Sequence, residues 1–182
     1  MKSQFVVYGS KGHAGVVADL IKMNDGEVNC FFDDFESNLE NQGNKTVLAY
    51  DSELFKDSAM VIGVGNNVTR EEISLKVNHK LATLIHPTAS VSSNVDIGEG
   101  TVILANSTVQ ANVRIGKHVI IAAGVCIDHD VVIDDFVIIY PNSYIGGEVQ
   151  LKKGVCIGPC SVIMRKTIIP EKEEIRPLSI IG

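Results

Sequence analysis

Residues 115–144 read, in groups of six, IGKHVI IAAGVC IDHDVV IDDFVI IYPNSY. Each group opens on isoleucine. The column continues in both directions without a slip, from Val91, Ile97, Ile103 and Val109 to Ile169, Ile175 and Ile181, sixteen aliphatic residues in all. Two residues before each stands a second column, beginning Ala89, Val95, Thr101, Ser107 and Val113, in which only Glu173 is neither small nor β-branched. A period of six matches neither the helical 3.6 nor the strand alternation of two. It matches a chain that turns a corner every six residues and stacks its coils into a prism, with long aliphatics in the bore and small residues at the corners. This is the hexapeptide β-helix pattern, and sixteen hexads at three per coil predict about five coils.

The bulk numbers exclude several classes. Sixteen Lys+Arg against 22 Asp+Glu give a net charge of −6, which opposes a role built on nucleic-acid phosphates. No run of 18 apolar residues is present, so no membrane span is predicted. The four cysteines (Cys30, Cys126, Cys156, Cys160) have no framework spacing, and Met1 to Gly9 holds too short an apolar run for a signal peptide. Free thiols and a cytoplasmic location are the expectation.

Residues 1–85 read differently from the prism at 86–182. Phe5 to Tyr8 predicts a buried strand, ending in Gly9-Ser10-Lys11-Gly12-His13-Ala14-Gly15. Val16, Val17, Leu20 and Ile21 then recur at helical spacing. Further strands are predicted over Val28–Phe32, Thr46–Ala49 and Ala59–Val64, a short helix near Asp51–Lys56 and another over Thr69–Val77. Leu81–Ile85 closes this segment at His86-Pro87. Alternating strands and helices indicate a small parallel α/β domain, the size of one half of a Rossmann fold. Its strand-end loops offer an anion-binding turn at Gly9, Ser10, Gly12 and His13, hydroxyl acceptors at Asp33 and Asp34, and Gly65-Asn66-Asn67 beside them.

Sorting the prism's outward residues by a period of 18 yields one apolar face: Val102, Leu104, Ile120, Ala122, Ile138, Tyr140, Cys156 and Gly158. Such a stripe predicts an interface, closed by three prisms packed head to tail. The competing reading is that the N-terminal domain folds back over it. Among five histidines, His79 and His118 read as surface residues and His86 as a backbone hydrogen-bonder. His129 stands at a corner between Asp128 and Asp130, where a carboxylate can select one imidazole tautomer and suit the ring to general-base work.

A small α/β domain followed by an uninterrupted hexapeptide β-helix resembles the sugar acetyltransferases of the sialic acid O-acetyltransferase type, most of all the bacterial enzymes that acetylate a UDP-linked 4-amino sugar. The resemblance rests on Tyr8-Gly9-Ser10-Lys11-Gly12-His13-Ala14, Phe32-Asp33-Asp34, Gly63-Val64-Gly65-Asn66-Asn67 with Arg70, Leu84-Ile85-His86-Pro87 and Asp128-His129-Asp130. It implies a left-handed β-helix, a homotrimer, acetyl-CoA between adjacent prisms and a nucleotide sugar held by the N-terminal domain. It also implies His129 as the base, Asp130 as its orienting partner, and Gly147 in the acetyl-CoA site. Two positions of that site depart from the family: Ile138 stands where a second histidine is frequent, and Ala122 where an asparagine is. A Pro-Ala-Lys-like tail is replaced by Ile180-Ile181-Gly182.

Three functions follow as expectations. The first is acetyl transfer from acetyl-CoA to an amino group, or a hydroxyl, of a nucleotide-linked sugar. The second is a non-catalytic nucleotide-sugar-binding homologue. The third is a β-helix zinc enzyme of the carbonic anhydrase kind, which would need His86, His118 and His129 to converge.

Overall fold

The computed structural model describes residues 2–35, 40–41 and 45–182 and divides into two compact units, Met1–Leu84 and Ile85–Gly182. In the first, the run Phe5-Val6-Val7-Tyr8 forms β1 (Gln4–Tyr8) at the centre of a sheet, all four side chains buried. Helix α1 (Gly12–Met23) buries Ala14, Val17, Ala18, Leu20 and Ile21, the face its spacing predicts. Then come β2 (Glu27–Phe32), β3 (Glu40–Asn41), β4 (Lys45–Leu48), β5 (Ala59–Ile62) and α2 (Asn67–Lys76). The strand order is β3-β4-β2-β1-β5, parallel except for β3 against β4. Tyr8 pairs with Phe32 on one side and Ile62 on the other, so the loops at Gly9, Asp33 and Gly63 leave the sheet at one level. That shared carboxyl edge is where open α/β sheets bind ligands.

Two expectations for this unit are corrected. Asp51–Lys56 is a succession of turns, not a helix. The Asp51 carboxylate accepts the Glu53 amide at 2.9 Å, and Phe55 takes a φ of 54°, outside the helical region. His79 is buried rather than on the surface. Its Nε2 donates to the Leu54 carbonyl at 3.0 Å, and its Nδ1 then accepts from Tyr50 Oη at 3.2 Å. At the start of the second unit, His86 N–H donates to Ile103 O at 2.8 Å.

The second unit contains sixteen two-residue strands, from Ser90–Val91 to Ile180–Ile181, spaced every six residues. They fall in three parallel sheets, and every pairing joins residues 18 apart, as in Thr108↔Cys126 and Ile121↔Ile139. One coil therefore takes 18 residues. The aliphatic column fills the bore, with Ile103, Ile121, Ile127, Ile139, Ile145 and Leu151 at 0% exposure. The second column also points inward, Thr101, Ser107, Val113, Val125 and Ser161 being buried too. Its hydroxyls stay satisfied: Ser107 Oγ donates to Ala122 O at 3.0 Å and Ser143 Oγ to Gly158 O at 3.0 Å.

The apolar stripe is mostly buried. Val102, Ile120 and Ile138 are only 1, 3 and 5% exposed within a single chain, and of the eight stripe residues only Tyr140 is exposed. His118, expected at the surface, is buried as well. Its ring lies flat on Phe136, with centroids 5.1 Å apart and planes 6° apart, and it covers Gly100.

Each corner has a further property. From Gly100 to Leu178 the residue just before the second column has a positive φ at every sixth position, including His118, Asp130, Phe136 and Glu148 at 54–63°. Val, Ile and Thr are absent from these fourteen positions, as the left-handed region demands.

Candidate active site

His129 and Asp130 share one corner, immediately after the strand Cys126–Ile127. The imidazole Nδ1 lies 2.7 Å from Asp130 Oδ2. An ionised carboxylate only accepts, so Nδ1 carries a proton and, in the neutral ring, Nε2 is the nitrogen with the lone pair; Nε2 stands 3.9 Å from Asp128 Oδ1. The His129 side chain is 43% exposed, which leaves that lone pair reachable from solvent. Asp128 completes the triplet: its Oδ1 accepts the His129 amide at 2.8 Å and its Oδ2 accepts Tyr144 Oη at 3.0 Å. The His129 hydrogen bonds hold both Asp128 and Asp130 below the usual carboxylate range, with help from Tyr144 and Asn112 respectively. Both carboxylates are therefore charged near neutral pH.

The corner makes room for the ring. With an 18-residue coil, the positions beside His129 in its column are Ala111, Gly147 and then Arg165, so small residues stand on either side. A Cβ on Gly147 would come within 3.1 Å of both Cε1 and Nε2 of His129. Arg165 pairs with Glu148, its Nε 3.0 Å from Oε1, and this bond keeps the Glu148 carboxyl low. Ile138 and Ala122, expected in the cofactor site, are buried at 5 and 7% exposure and carry no polar atom beyond the backbone. Gly147 is buried too.

The three histidines of the zinc reading do not converge. His86 Nδ1 accepts from Thr88 N–H at 3.1 Å, His118 stacks on Phe136, and His129 pairs with Asp130. Among the described residues, no group of three His, Cys, Asp or Glu is placed to hold a metal ion.

The first unit has a cleft of about 360 Å³ at the carboxyl edge of its sheet, lined by Tyr8, Gly9, Lys11, Asp33, Asp34, Val64, Thr69, Glu72 and Lys76. Gly9 turns the chain at a φ of 106°, and its amide donates to Phe32 O at 2.7 Å. That amide therefore serves the sheet rather than an anion, which corrects the expectation for Gly9. The amides of Gly12 and His13 lie in the first turn of α1, where helix N–H groups have no acceptor within the helix. Ser10 Oγ donates to Asp33 Oδ2 at 2.7 Å, and Asp33 Oδ1 accepts Phe35 N–H at 3.1 Å. Asp34 accepts Tyr8 Oη at 2.6 Å, Tyr50 N–H at 2.8 Å and Lys76 Nζ. Burial pushes Asp34 up, but the Lys76 and Tyr8 bonds outweigh it and leave its carboxyl below the usual range.

On the other side of the cleft, Asn66 caps α2, its Oδ1 accepting Thr69 N–H at 3.0 Å. Arg70 is 1% exposed and donates to Val64 O, Gly65 O and Asn67 Oδ1, which ties down the loop after β5. Burial, and then the Arg70 charge, lower His13 to about 4, so it is neutral at pH 7. Tyr8, Tyr50 and Lys76 were not expected at this edge. Tyr8 carried the one available signal, as the last residue of a strand leading into the glycine turn.

The fold and these two constellations resemble those of hexapeptide-repeat transferases. The family of bacterial transferase hexapeptide (six repeats) matches residues 94–129 and 130–165, and the family of the PglD N-terminal domain matches residues 4–77. The two matches fall one on each unit, and the arrangement resembles that of left-handed β-helix sugar acetyltransferases with a PglD-type N-terminal domain. The UDP-N-acetylbacillosamine N-acetyltransferase of Bacillus subtilis (strain 168) is 34% identical over 111 residues, 56% of this chain and 51% of that protein. The chain thus spans about half the length of that curated relative. The acetyltransferase domain of PglB from Neisseria gonorrhoeae FA1090 superposes with a TM-score of 0.88 at 27% identity, covering 100% of this chain and 92% of that one. The same domain in complex with acetyl coenzyme A gives 0.70 at 26% identity, covering 100% and 97%. No helix among the described residues is long and apolar enough to cross a membrane.

Proposed function

We propose that this protein transfers an acetyl group from acetyl-CoA to the amino group of a nucleotide-linked sugar, a UDP-amino sugar in the first instance, with a hydroxyl as the alternative acceptor. The observation that carries the reading is the His129 imidazole, half exposed and held at Nδ1 by Asp130, which leaves Nε2 as the nitrogen able to take a proton from the substrate. As the sugar nitrogen attacks the thioester, an N–C bond forms and the C–S bond breaks. The nitrogen's proton passes to His129 Nε2 and from there to the departing CoA sulfur. General-base help of this kind contributes roughly 10²–10⁴ in rate. Holding both substrates in one cleft supplies much of the remainder.

Gly147, Ile138 and Ala122 line the acetyl-CoA site in this reading, and Gly147 is the one in contact range of the His129 ring. The nucleotide sugar is bound by the first unit: its phosphates at Ser10, Gly12 and His13, its hydroxyls near Asp33 and Asp34 in the cleft, with Gly65 and Asn66 on the loop that Arg70 ties down. Gly9 contributes the turn. The protein works as a homotrimer in the cytoplasm, with His129 meeting acetyl-CoA at a boundary between subunits. The relatives support this reading, since one is named for N-acetyl transfer to a UDP sugar and another was solved with acetyl coenzyme A.

The test mixes protein, acetyl-CoA and a panel of UDP-amino sugars and follows free CoA thiol. Release is expected with at least one sugar, and His129→Ala should abolish it. No thiol release across the panel would sink the proposal. A second reading, nucleotide-sugar binding without acyl transfer, draws on the apolar Ile138 and Ala122, which offer the acyl oxygen no side-chain donor. UDP-sugar binding by calorimetry with no acetyl-CoA binding would select it. Light scattering at three chain masses is the outcome expected for the assembly.

A further inference from the structure

Asp130 is itself held. Its Oδ2 takes the His129 Nδ1 proton, while its Oδ1 accepts Asn112 Nδ2 at 3.0 Å. Asn112 Oδ1 in turn accepts Asn94 Nδ2 at 2.6 Å, and Asn94 Oδ1 lies 3.4 Å from the Asn112 amide nitrogen. The three residues are 18 apart, so they occupy one corner of three successive coils, and each lends an arm to the next. We infer that Asn112, backed by Asn94, is a positioning residue for catalysis: it fixes the plane of the Asp130 carboxylate and through it the orientation and tautomer of His129. The inference rests on the acetyl-transfer reading for its kinetic consequence, though not for its structural one.

Chemistry explains why an amide suits this position. The Asp130 side chain is 47% exposed, and a carboxylate torsion of this kind is soft, so an unheld group would swing. An asparagine donates to Asp130 with one arm and accepts from Asn94 with the other. An aspartate at 112 would set a second negative charge against Asp130, and a serine would be too short to bridge a whole coil. The backbone requirement is met at the same time, because Asn112 sits at a φ of 61°, where asparagine is among the few comfortable residues. A strand of ordinary surface polar residues would need no such head-to-tail order.

The clean variant is Asn112→Gly, which removes the amide and suits the left-handed backbone. Asn106→Gly is its control, another corner asparagine with a φ of 58° on a different column, outside the site described above. With histidine-labelled protein, long-range proton–nitrogen correlation reads the His129 tautomer directly and needs no substrate. Wild type and Asn106→Gly should show Nδ1 protonated and Nε2 bare, and Asn112→Gly a mixture of tautomers. In the thiol-release assay, Asn112→Gly should lower kcat about tenfold at KM values unchanged within about twofold, the mark of a misoriented base rather than a lost binding contact. Asn112→Asp should be at least as slow. An unaltered His129 spectrum in Asn112→Gly overturns the inference, as does a kcat equal to that of Asn106→Gly. If wild type releases no thiol, the acetyl-transfer reading fails, and the spectrum still decides the positioning role.

Discussion

Substituting Gly147 by alanine adds one methyl group at the most sensitive point of the site. Gly147 is not among the residues with positive φ, so alanine takes its backbone conformation without strain. The new Cβ, however, would stand 3.1 Å from His129 Cε1 and Nε2, against an ordinary carbon contact of about 3.5–4.0 Å. The ring must yield by roughly half an ångström. It is tethered at 2.7 Å through Nδ1 to Asp130, so it moves by swinging Nε2 about that tether. The displaced atom is the one that takes the proton. A misplacement of about 1 Å can cost on the order of 10²-fold, so half of that puts the expected loss in kcat near tenfold. The thiol-release assay measures it, with KM for the nucleotide sugar unchanged because the first unit is untouched. The melting temperature should stay within about 2 °C of wild type, as the methyl group meets an exposed, movable ring. A Gly147→Ala protein that turns over at the wild-type rate would refute the contact's importance. A large fall in melting temperature would show that the coil, rather than the ring, had moved.

Three further outcomes follow from burial, backbone and charge. Ile139→Ala, at 0% exposure in the bore, should lower unfolding stability by about 2–5 kcal/mol in a denaturant titration, through lost transfer energy and the cavity left behind. Lys172→Asn, at an exposed corner with a φ of 60°, should raise stability by up to about 1 kcal/mol, because asparagine tolerates the left-handed region better than lysine does. His13, lowered from 6.5 to about 4 by burial and by Arg70, resists protonation only in the folded state. As pH falls from 6.5 towards 4 the unfolded chain gains a proton that the folded chain refuses, so stability should decline by up to about 3 kcal/mol across that window. His13→Phe should flatten the decline measured by denaturant midpoints against pH. Asp34, Asp128, Asp130 and Glu148 are depressed, so their contributions are lost lower down, as pH drops through their folded values.

The two inward columns were legible because a repeat summed over sixteen hexads overwhelms any local ambiguity. The carboxyl edge of the first unit was legible for a similar reason, since Gly9, Asp33 and Gly65 each followed a recognisable buried strand. What escaped were interactions between residues whose partners are distant in sequence. His79 looked like a surface residue, yet Tyr50 and Leu54 enclose it from 29 and 25 positions away. The Asp51–Lys56 segment has helical composition, but an aspartate-capped turn and a left-handed Phe55 defeat it locally. The stripe of Val102, Ile120 and Ile138 was legible as apolar and in need of cover, and these side chains are buried.

A third column could have been read and was not. The fourteen corner positions with positive φ hold Gly, Asn, Asp, His, Phe, Glu, Cys, Lys and Leu but never Val, Ile or Thr. Each choice is a weak preference on its own, worth about 1–2 kcal/mol of avoided strain, so only the period makes it visible. Its value lies in what it fixes. The left-handed corner at Asp130 is flanked by His129 on one side and the buried Val131 on the other, so the backbone there is held by the bore. His129 and Asp130 thus hang from a rigid support rather than from a free loop. Along the same corner, Asn94 and Asn112 lead up to the carboxylate, and Gly147 clears space for the ring beyond it. The repeat that builds the prism therefore also orders the site: a period of 18 sets which side chains are neighbours. Asn112 stands 18 residues before Asp130 and Gly147 18 after His129, so deletion of the single residue Ala123 should uncouple Asp130 from Asn112 while leaving Gly147 in register with the ring.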